Sequence, residues 1–437
     1  MPKFKLVQSD EILITPTGLV TVGKLLSTTF LKERLDKIKI PDIDEPKINN
    51  HEIVYSYAGL LAQGKVSFDC IEEFRDLESF ITTLGINNCP SSPTLRQRLK
   101  KGSSDFIEII KEENVSLLKT VSPDFNTCYE NNIPLDLDDS PFDNSNTNKE
   151  GVNRTYKGFD GYCPSFAYLG KEGYLINTKL KEGKAHSMRG AKEFLSRSID
   201  NAKTLIDKDI LVRMDAGYDS KDILEICQGK EVNFIIKRNL RNNDKDKIIE
   251  KCHDNGEMTI PREGKKVYRG SYQKNISGLK NPVKVVFDLK ETTIDEDGQL
   301  HLVPDIELDL YWVNLDATDD EVIELYHKHG TCEQFHSEIK TDMDLERLPS
   351  GDFNLNELVL VIGMLVYNIL RFMGQLSLQK PDSPLRGGVQ RRRIRTVMQN
   401  LIMIASKLVS HARQLYLKFG SESPWFKTFR RVYMGCT

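Results

Sequence analysis

Three acidic residues stand where a fold would present them to a ligand. Asp138 closes the alternating run Leu135–Asp138 and is followed by Asp139 and Ser140. Asp215 closes the apolar run Ile210–Met214 and is followed by the turn-forming Ala216, Gly217 and Tyr218. Both runs read as strands, and a carboxylate just past a strand sits at the sheet rim, where ligand sites gather. Asp136 shares a strand face with Asp138, so either can be the first acid. Singly, an acid at a strand end is most often a turn or cap residue; the combination is what points to chemistry. Glu333 lies 118 positions after Asp215, in a stretch with helical spacing. Around it Tyr326, His329, Glu333 and Lys340 recur at i, i+3, i+7 and i+14. At about 100° per residue all four would project from one stripe roughly 60° wide, with Leu325 turned inward. A phenol, an imidazole, a carboxylate and an ammonium make a poor core face. They suit a phosphodiester, with a carboxylate to hold metal and hydroxyl or cationic groups to hold phosphate oxygens.

These residues need a scaffold, and the chain reads as five regions. Residues 1–125 are mainly helical, with Ser92-Pro93-Thr94 opening a helix that carries Arg96, Arg98, Lys100 and Lys101. Ser is a good cap and Pro is tolerated in a first turn, and a small basic helical region suits DNA contact. Residues 126–238 alternate strand and helix patterns in the order β-β-β-α-β-α-β, a mixed α/β layer. Residues 239–313 carry turn clusters at Asn242-Asn243-Asp244 and Asp254-Asn255-Gly256, and strand-like runs at Val267–Tyr272, Val283–Leu289 and Ile306–Val313, and read as a β-rich insertion. Residues 314–380 hold the Glu333 helix, and 381–437 form a basic region with a long helix expected over Arg391–Phe419.

Composition bounds the function. The 437 residues are 39% hydrophobic and 29% charged, an ordinary globular balance. The net charge of −3 excludes a uniformly basic protein. The charge is segregated, however: residues 381–437 carry 11 Lys and Arg against 2 acids, and the rest sums to −12. Arg391, Arg392, Arg393 and Arg395 can meet phosphates, and Lys266, Arg269, Lys274, Lys280 and Lys284 of the insertion can track a nucleic-acid backbone. The most apolar run, Leu358–Leu370, spans 13 residues, short of the roughly 20 that cross a bilayer, so a buried core helix and no membrane partner are expected. No signal-peptide pattern opens the chain. No two of the eight cysteines are closer than 19 positions, which excludes CxxC chemistry and fits free thiols in a reducing cytoplasm.

The spacing Tyr-x2-basic-x3-Glu-x6-Lys resembles the YREK signature of bacterial insertion-sequence DDE transposases, the IS-four-like superfamily. The stretch from Tyr326 to Glu357 is most similar to its "thirteen-eighty" branch, and residues 135–162 and 211–220 resemble the same branch in the order the family requires. The resemblance implies an RNase H-like mixed sheet with flanking helices, a β-rich insertion, and helical N- and C-terminal regions. It implies Asp138, Asp215 and Glu333 as the catalytic, metal-holding triad, with Asp138 preferred over Asp136 because the family often reads Asp-x-Ser/Thr. It implies Mg²⁺, with Mn²⁺ as a substitute, and double-stranded DNA as partner, both the element's inverted-repeat ends and the target. It also implies a homodimer that holds two ends. Tyr326, His329 and Lys340 would contact phosphates, His329 standing where the signature has Arg and being largely neutral at pH 7. In some relatives an insertion Trp stacks on a flipped base; Trp312, at the end of a strand, reads rather as packed into the sheet. The rival readings are a glycosidase, for which the sequence offers no sugar platform, and a domesticated or inactive relative that only binds DNA.

Overall fold

The computed structural model describes residues 4–8, 10–43, 46–240, 245–385 and 387–436. The turn read at Asn242-Asn243-Asp244, and Arg386 of the basic C-terminal count, lie outside the described residues. The chain divides into two compact units. One runs to Pro123 and adds Asn146–Glu150 and the residues from Ser337 onward; the other comprises Asp124–Ser145 and Gly151–His336.

The second unit is built on a nine-stranded sheet. Its strands are β1 (Asn132–Asp139), β2 (Ser165–Leu169), β3 (Tyr174–Lys179), β4 (Asp209–Met214), β5 (Asn233–Lys237), β6 (Gly256–Arg262), β7 (Lys265–Lys274), β8 (Val283–Ile294) and β9 (Leu300–Val313). Their spatial order is β3-β2-β1-β4-β5-β9-β8-β7-β6. β1 pairs antiparallel with β2 and parallel with β4, and β4 pairs parallel with β5. This 3-2-1-4-5 core is the RNase H-like arrangement that the sequence leads one to expect. The insertion does not form a layer of its own. β9 pairs antiparallel with β5, so the inserted strands prolong the same sheet.

Helices α1 (Ala191–Leu205) and α2 (Lys221–Gly229) connect the core strands, α3 (Lys245–Asn255) opens the insertion, and α4 (Asp319–His327) and α5 (Cys332–Ser337) follow it. A capping box of Thr318 and Glu321 starts α4. Val322, Ile323 and Leu325 of α4 pack on Leu211, Ile235, Val286 and Tyr311 of the sheet, which fixes the helix against β4. The expected single stripe is not observed. Lys328–Thr331 winds as a 3-10 turn between α4 and α5, and Glu338–Asp342 as a π-turn after α5. At about 120° per residue a 3-10 turn breaks the 100° phase. His329 is therefore buried, Tyr326 half-buried and Glu333 exposed.

The first unit is mainly helical, with Asn50–Leu61, Glu78–Leu84, Ser92–Val121 and Phe353–Leu378 as its larger helices. Ser91, not Ser92, caps the third of these. Phe353–Leu378 is long and apolar enough to cross a membrane, yet 94% of its most apolar window is buried. The polar breaks in its apolar run are satisfied inside: Asn368 donates to Asn114 at 2.8 Å, and Tyr367 and Arg371 bond Glu338. Two expectations for this unit are corrected. Arg98 does not face solvent; it is buried and donates to the Ile48 carbonyl and to Asn50. The long helix over Arg391–Phe419 is a short helix, Ile394–Val397, a π-turn, and a hairpin of Ser406–His411 with Gln414–Lys418. Ala412 and Arg413 turn that hairpin with φ of 49° and 63°, and its first strand pairs with Leu13–Ile14, a partner some 390 residues away that no local periodicity can reveal.

Gly173 turns the β2–β3 hairpin with φ 73°, and a Cβ there would overlap the ring of Phe335 on α5. Gly173→Ala is expected to cost about 2–3 kcal/mol, from left-handed strain and overpacking, read by urea unfolding. A change under about 0.5 kcal/mol would contradict this close approach.

Candidate active site

The parallel register of β1 and β4 pairs Leu137 with Met214, so the next residue on each chain is Asp138 and Asp215. The two carboxylates thus share one edge of the sheet. Their charges are felt. Burial first, then the charge of Asp138, pushes the Asp215 carboxyl up to about 6. Burial also works against ionised Asp138, but the hydrogen bond and charge of His336 outweigh it and hold that carboxyl below its usual range. Asp138 Oδ1 accepts the Asp139 N–H at 2.8 Å, and Oδ2 lies 3.1 Å from His336 Nε2. Asp215 caps the turn that follows it, accepting the Gly217 N–H at 3.0 Å.

The neighbouring acids are spent on structure. Asp136 receives Arg213 bidentately at 2.6 and 2.7 Å and lies 3.1 Å from His329 Nδ1. Burial would raise Asp136, but the Arg213 charge and the His329 bond overcome it and the carboxyl stays low. Arg213 also donates to the Leu325 carbonyl at 2.6 Å, tying β4 to α4. Asp139 accepts Lys181 at 2.8 Å, Ser165 at 2.6 Å and Tyr218 at 2.8 Å. Tyr218 belongs to the turn after Asp215, so this bond latches that turn to the end of β1. Asp136 is 2% exposed, whereas the Asp138 side chain is 24% exposed; of the two, Asp138 is the one open to a ligand.

Among the described residues, one set of three ligand-type side chains falls within 4.8 Å: Asp136, His329 and Cys332. It does not fit a cation. The Arg213 guanidinium already occupies both Asp136 oxygens, and burial, with the Asp136 and Asp138 charges, pushes the Cys332 thiol far up. Asp138 and Asp215 fit better, as crowded oxygen donors that a hard divalent cation would relieve. Glu333 stands exposed on α5, one turn before His336 and on the same helix face. The Tyr326 hydroxyl is held protonated by burial and then by the Asp215 and Asp138 charges, and so remains a donor.

The residues expected to meet DNA divide. Lys266 is exposed on β7. Arg269, beside it, is paired with Asp288 at 2.9 Å and Asp320 at 2.8 Å. Trp312 is built into β9, 5% exposed, with its indole N–H given to Asp219 at 2.7 Å, the packed arrangement the sequence favoured. Arg238 and Lys274 approach its ring at 5.0 and 5.5 Å, and with Lys221 they line a cavity of about 330 Å³. In the other unit Lys340 is half-buried on the π-turn. Arg391 bonds the buried Glu338 at 2.7 Å, and Arg392 is buried and donates to Ser383 and the Leu385 carbonyl. Arg393 and Arg395 pair with Asp342 but keep about half of their side chains exposed, 53% and 52%. Sequence reasoning missed His336, Arg213 and Tyr218. His336 follows Glu333 by three positions on one helix, and Arg213 is the register partner of Asp136; those two spacings were the available signals.

Because folding raises the Asp215 carboxyl, ionising it costs stability. The cost is absent below about pH 4 and grows as pH rises through about 6. In EDTA at pH 8, Asp215→Asn is expected to be more stable than wild type by about 1–2 kcal/mol, with the gain vanishing near pH 4. Thermal unfolding across that range checks it; a gain independent of pH would contradict the crowding of Asp138 and Asp215.

The sequence matches the family described as Transposase DDE domain group 1 over residues 11–435. No curated protein matches it. Among solved structures it is similar to a piggyBac transposase synaptic complex with hairpin DNA, solved by cryo-EM, at 10% identity and a TM-score of 0.42, over 89% of this chain and 80% of that one. With the family match running across nearly the whole length, the chain belongs to the Transposase DDE domain group 1 family.

Proposed function

We propose that this chain is the transposase of an insertion sequence of the YREK type, nearest the "thirteen-eighty" branch, and that it binds terminal inverted repeats and moves the element by cut-and-paste. The observation that supports this most is the pairing of Asp138 with Asp215 at the ends of adjacent parallel strands, where each raises the cost of the other's charge. Asp138, Asp215 and Glu333 would hold divalent cations, Mg²⁺ by preference with Mn²⁺ as substitute, which supply Lewis-acid activation of a phosphodiester and of its attacking oxygen. Asp138 is ionised at neutral pH and offers its carboxylate without loss of a proton. Asp215, raised to about 6, is mostly ionised at neutral pH, and a bound cation would offset the repulsion it then feels from Asp138. The Tyr326 hydroxyl donates to a phosphate oxygen and Lys340 adds a further phosphate contact, whereas His329, buried with Nδ1 on Asp136, braces that acid instead of reaching DNA. Lys266, Arg393 and Arg395 add backbone contacts through their exposed portions; Arg269, Arg391 and Arg392 mainly brace the surfaces they belong to. Hydrolysis at the element end frees a 3′-hydroxyl, which then attacks target DNA, and a homodimer holds the two ends together.

The test uses the full-length protein and a labelled duplex carrying the inverted repeat that flanks its gene. Cleavage is expected in Mg²⁺ and not in EDTA. Asp138→Asn, Asp215→Asn and Glu333→Gln should each lower cleavage at least about 1,000-fold while end binding in a gel shift stays within about threefold. Cleavage by Asp215→Asn at the wild-type rate would overturn the assignment, and a wild-type protein that binds ends without cleaving them would favour a domesticated DNA-binding role.

A further inference from the structure

The cavity of about 330 Å³ beside Trp312 gathers cations that its own wall does not neutralise. Lys221 comes from the segment after β4, Arg238 from the end of β5, and Lys274 from the end of β7. Among the described residues Asp219 is the one acid of the wall, and both of its oxygens are engaged. Oδ1 accepts the Trp312 indole N–H at 2.7 Å and Oδ2 the Asn239 N–H at 2.8 Å. Neither Lys221 nor Arg238 pairs with a carboxylate among the described residues. Lys221 reaches across to the β7–β8 loop, where its ammonium lies 2.1 Å from the place a Cβ on Gly278 would take. The glycine leaves room for the cation. Lys221 also opens α2, whose N-terminal dipole end adds to the positive field. Trp312 is 5% exposed, and Arg238 and Lys274 stand over its ring, so the indole offers no open face for stacking a base. The chemistry of the cavity is that of an oxyanion receptor.

We propose that this cavity seats a backbone phosphate of the cleaved DNA strand, about one or two nucleotides from the phosphodiester held at Asp138 and Asp215. The inference rests on the reading of those two acids as the cleavage site. Strand register supplies the link. Met214 pairs with Leu137 of β1 on one side and with Ile236 of β5 on the other, so Asp138, Asp215 and Arg238 leave the sheet at the same edge. Neighbouring strands stand about 4.8 Å apart, which puts β5 roughly 10 Å from β1. A DNA strand covers that step in about one or two nucleotides. Ligands of α/β sheets gather outside the carboxyl ends of the strands, and a concave wall of one sign focuses its field on them. The Arg238 guanidinium can meet two phosphate oxygens, with the two ammonium groups as point charges beside it. A phosphate contact fixes the register of DNA without reading its bases. The cavity thus helps set which phosphodiester reaches the acids.

The test is a gel-shift scan with the full-length protein and the inverted-repeat duplex in EDTA. Each phosphate near the cleavage position is replaced in turn by an uncharged methylphosphonate. With wild type, replacement at one position within two nucleotides of the scissile phosphate should weaken binding about tenfold. Lys221→Gln and Arg238→Gln should each weaken the unmodified duplex about three- to tenfold and lower the salt slope by about 1. In either variant the methylphosphonate at that position should then cost less than about twofold, because its partner is already gone. Lys266→Gln should weaken binding yet keep the sensitivity at that position. A wild-type scan with no sensitive position within two nucleotides, or full sensitivity retained in Lys221→Gln and Arg238→Gln, would overturn the cavity assignment and leave the acids' reading standing. Failure of wild type to bind the duplex at all would overturn both. The wild-type scan needs no substitution, so a variant that fails to fold leaves the proposal open to refutation.

Discussion

The ion pair between Asp136 and Arg213 holds the candidate site together. The two residues face each other across the parallel β1–β4 ladder, at 2% and 3% exposure. Burying two charges is expensive, and the cost is recovered only when every donor and acceptor finds a partner. Here they do: the guanidinium meets both Asp136 oxygens and the Leu325 carbonyl, and Asp136 also faces His329. Removing either partner of such a pair typically costs about 3–5 kcal/mol. A one-residue slip of β4 would separate this pair and turn every side chain of the strand to the other face. The pair thus locks the register that sets Asp138 beside Asp215, and the same arginine anchors the end of α4.

From that constraint the acids acquire different fates. Asp136 is neutralised by Arg213, and Asp139, on the opposite strand face, by Lys181, Ser165 and Tyr218. Both are structural cations' partners, and both hold the backbone on either side of Asp138. Asp138 and Asp215 remain with charges that disfavour each other. Such crowding is a stability cost that a fold tolerates where function requires it. Two carboxylates with split affinities for the proton, one ionised and one near neutrality, suit a site that loads a divalent cation at physiological pH.

Much of this was legible in the sequence. The alternation of Leu135–Asp138 and the apolar run before Asp215 mark two strands whose ends carry acids, and the sheet follows the expected core order. The insertion's strands were also legible, but their joining to β5 was not, because edge pairing between β5 and β9 is a non-local event. The stripe of Tyr326, His329, Glu333 and Lys340 assumed one regular helix, and the 3-10 and π-turns break its phase. The arginine run read as a phosphate surface because sequence hides the acids that meet it: Glu338 and Asp342, more than 50 positions upstream, take Arg391, Arg393 and Arg395. His336 escaped notice because its partners, Tyr168 and Asp138, are some 170 and 200 residues away.

If Asp138 and Asp215 are the cation ligands, Asp136 stays with Arg213 when metal binds. Manganese anomalous diffraction from crystals of the full-length protein tests it most directly. A peak is expected at bonding distance, about 2.2 Å, from both Asp138 and Asp215, with the Asp136–Arg213 pair intact. A peak among Asp136, His329 and Cys332, with Arg213 displaced, would contradict it.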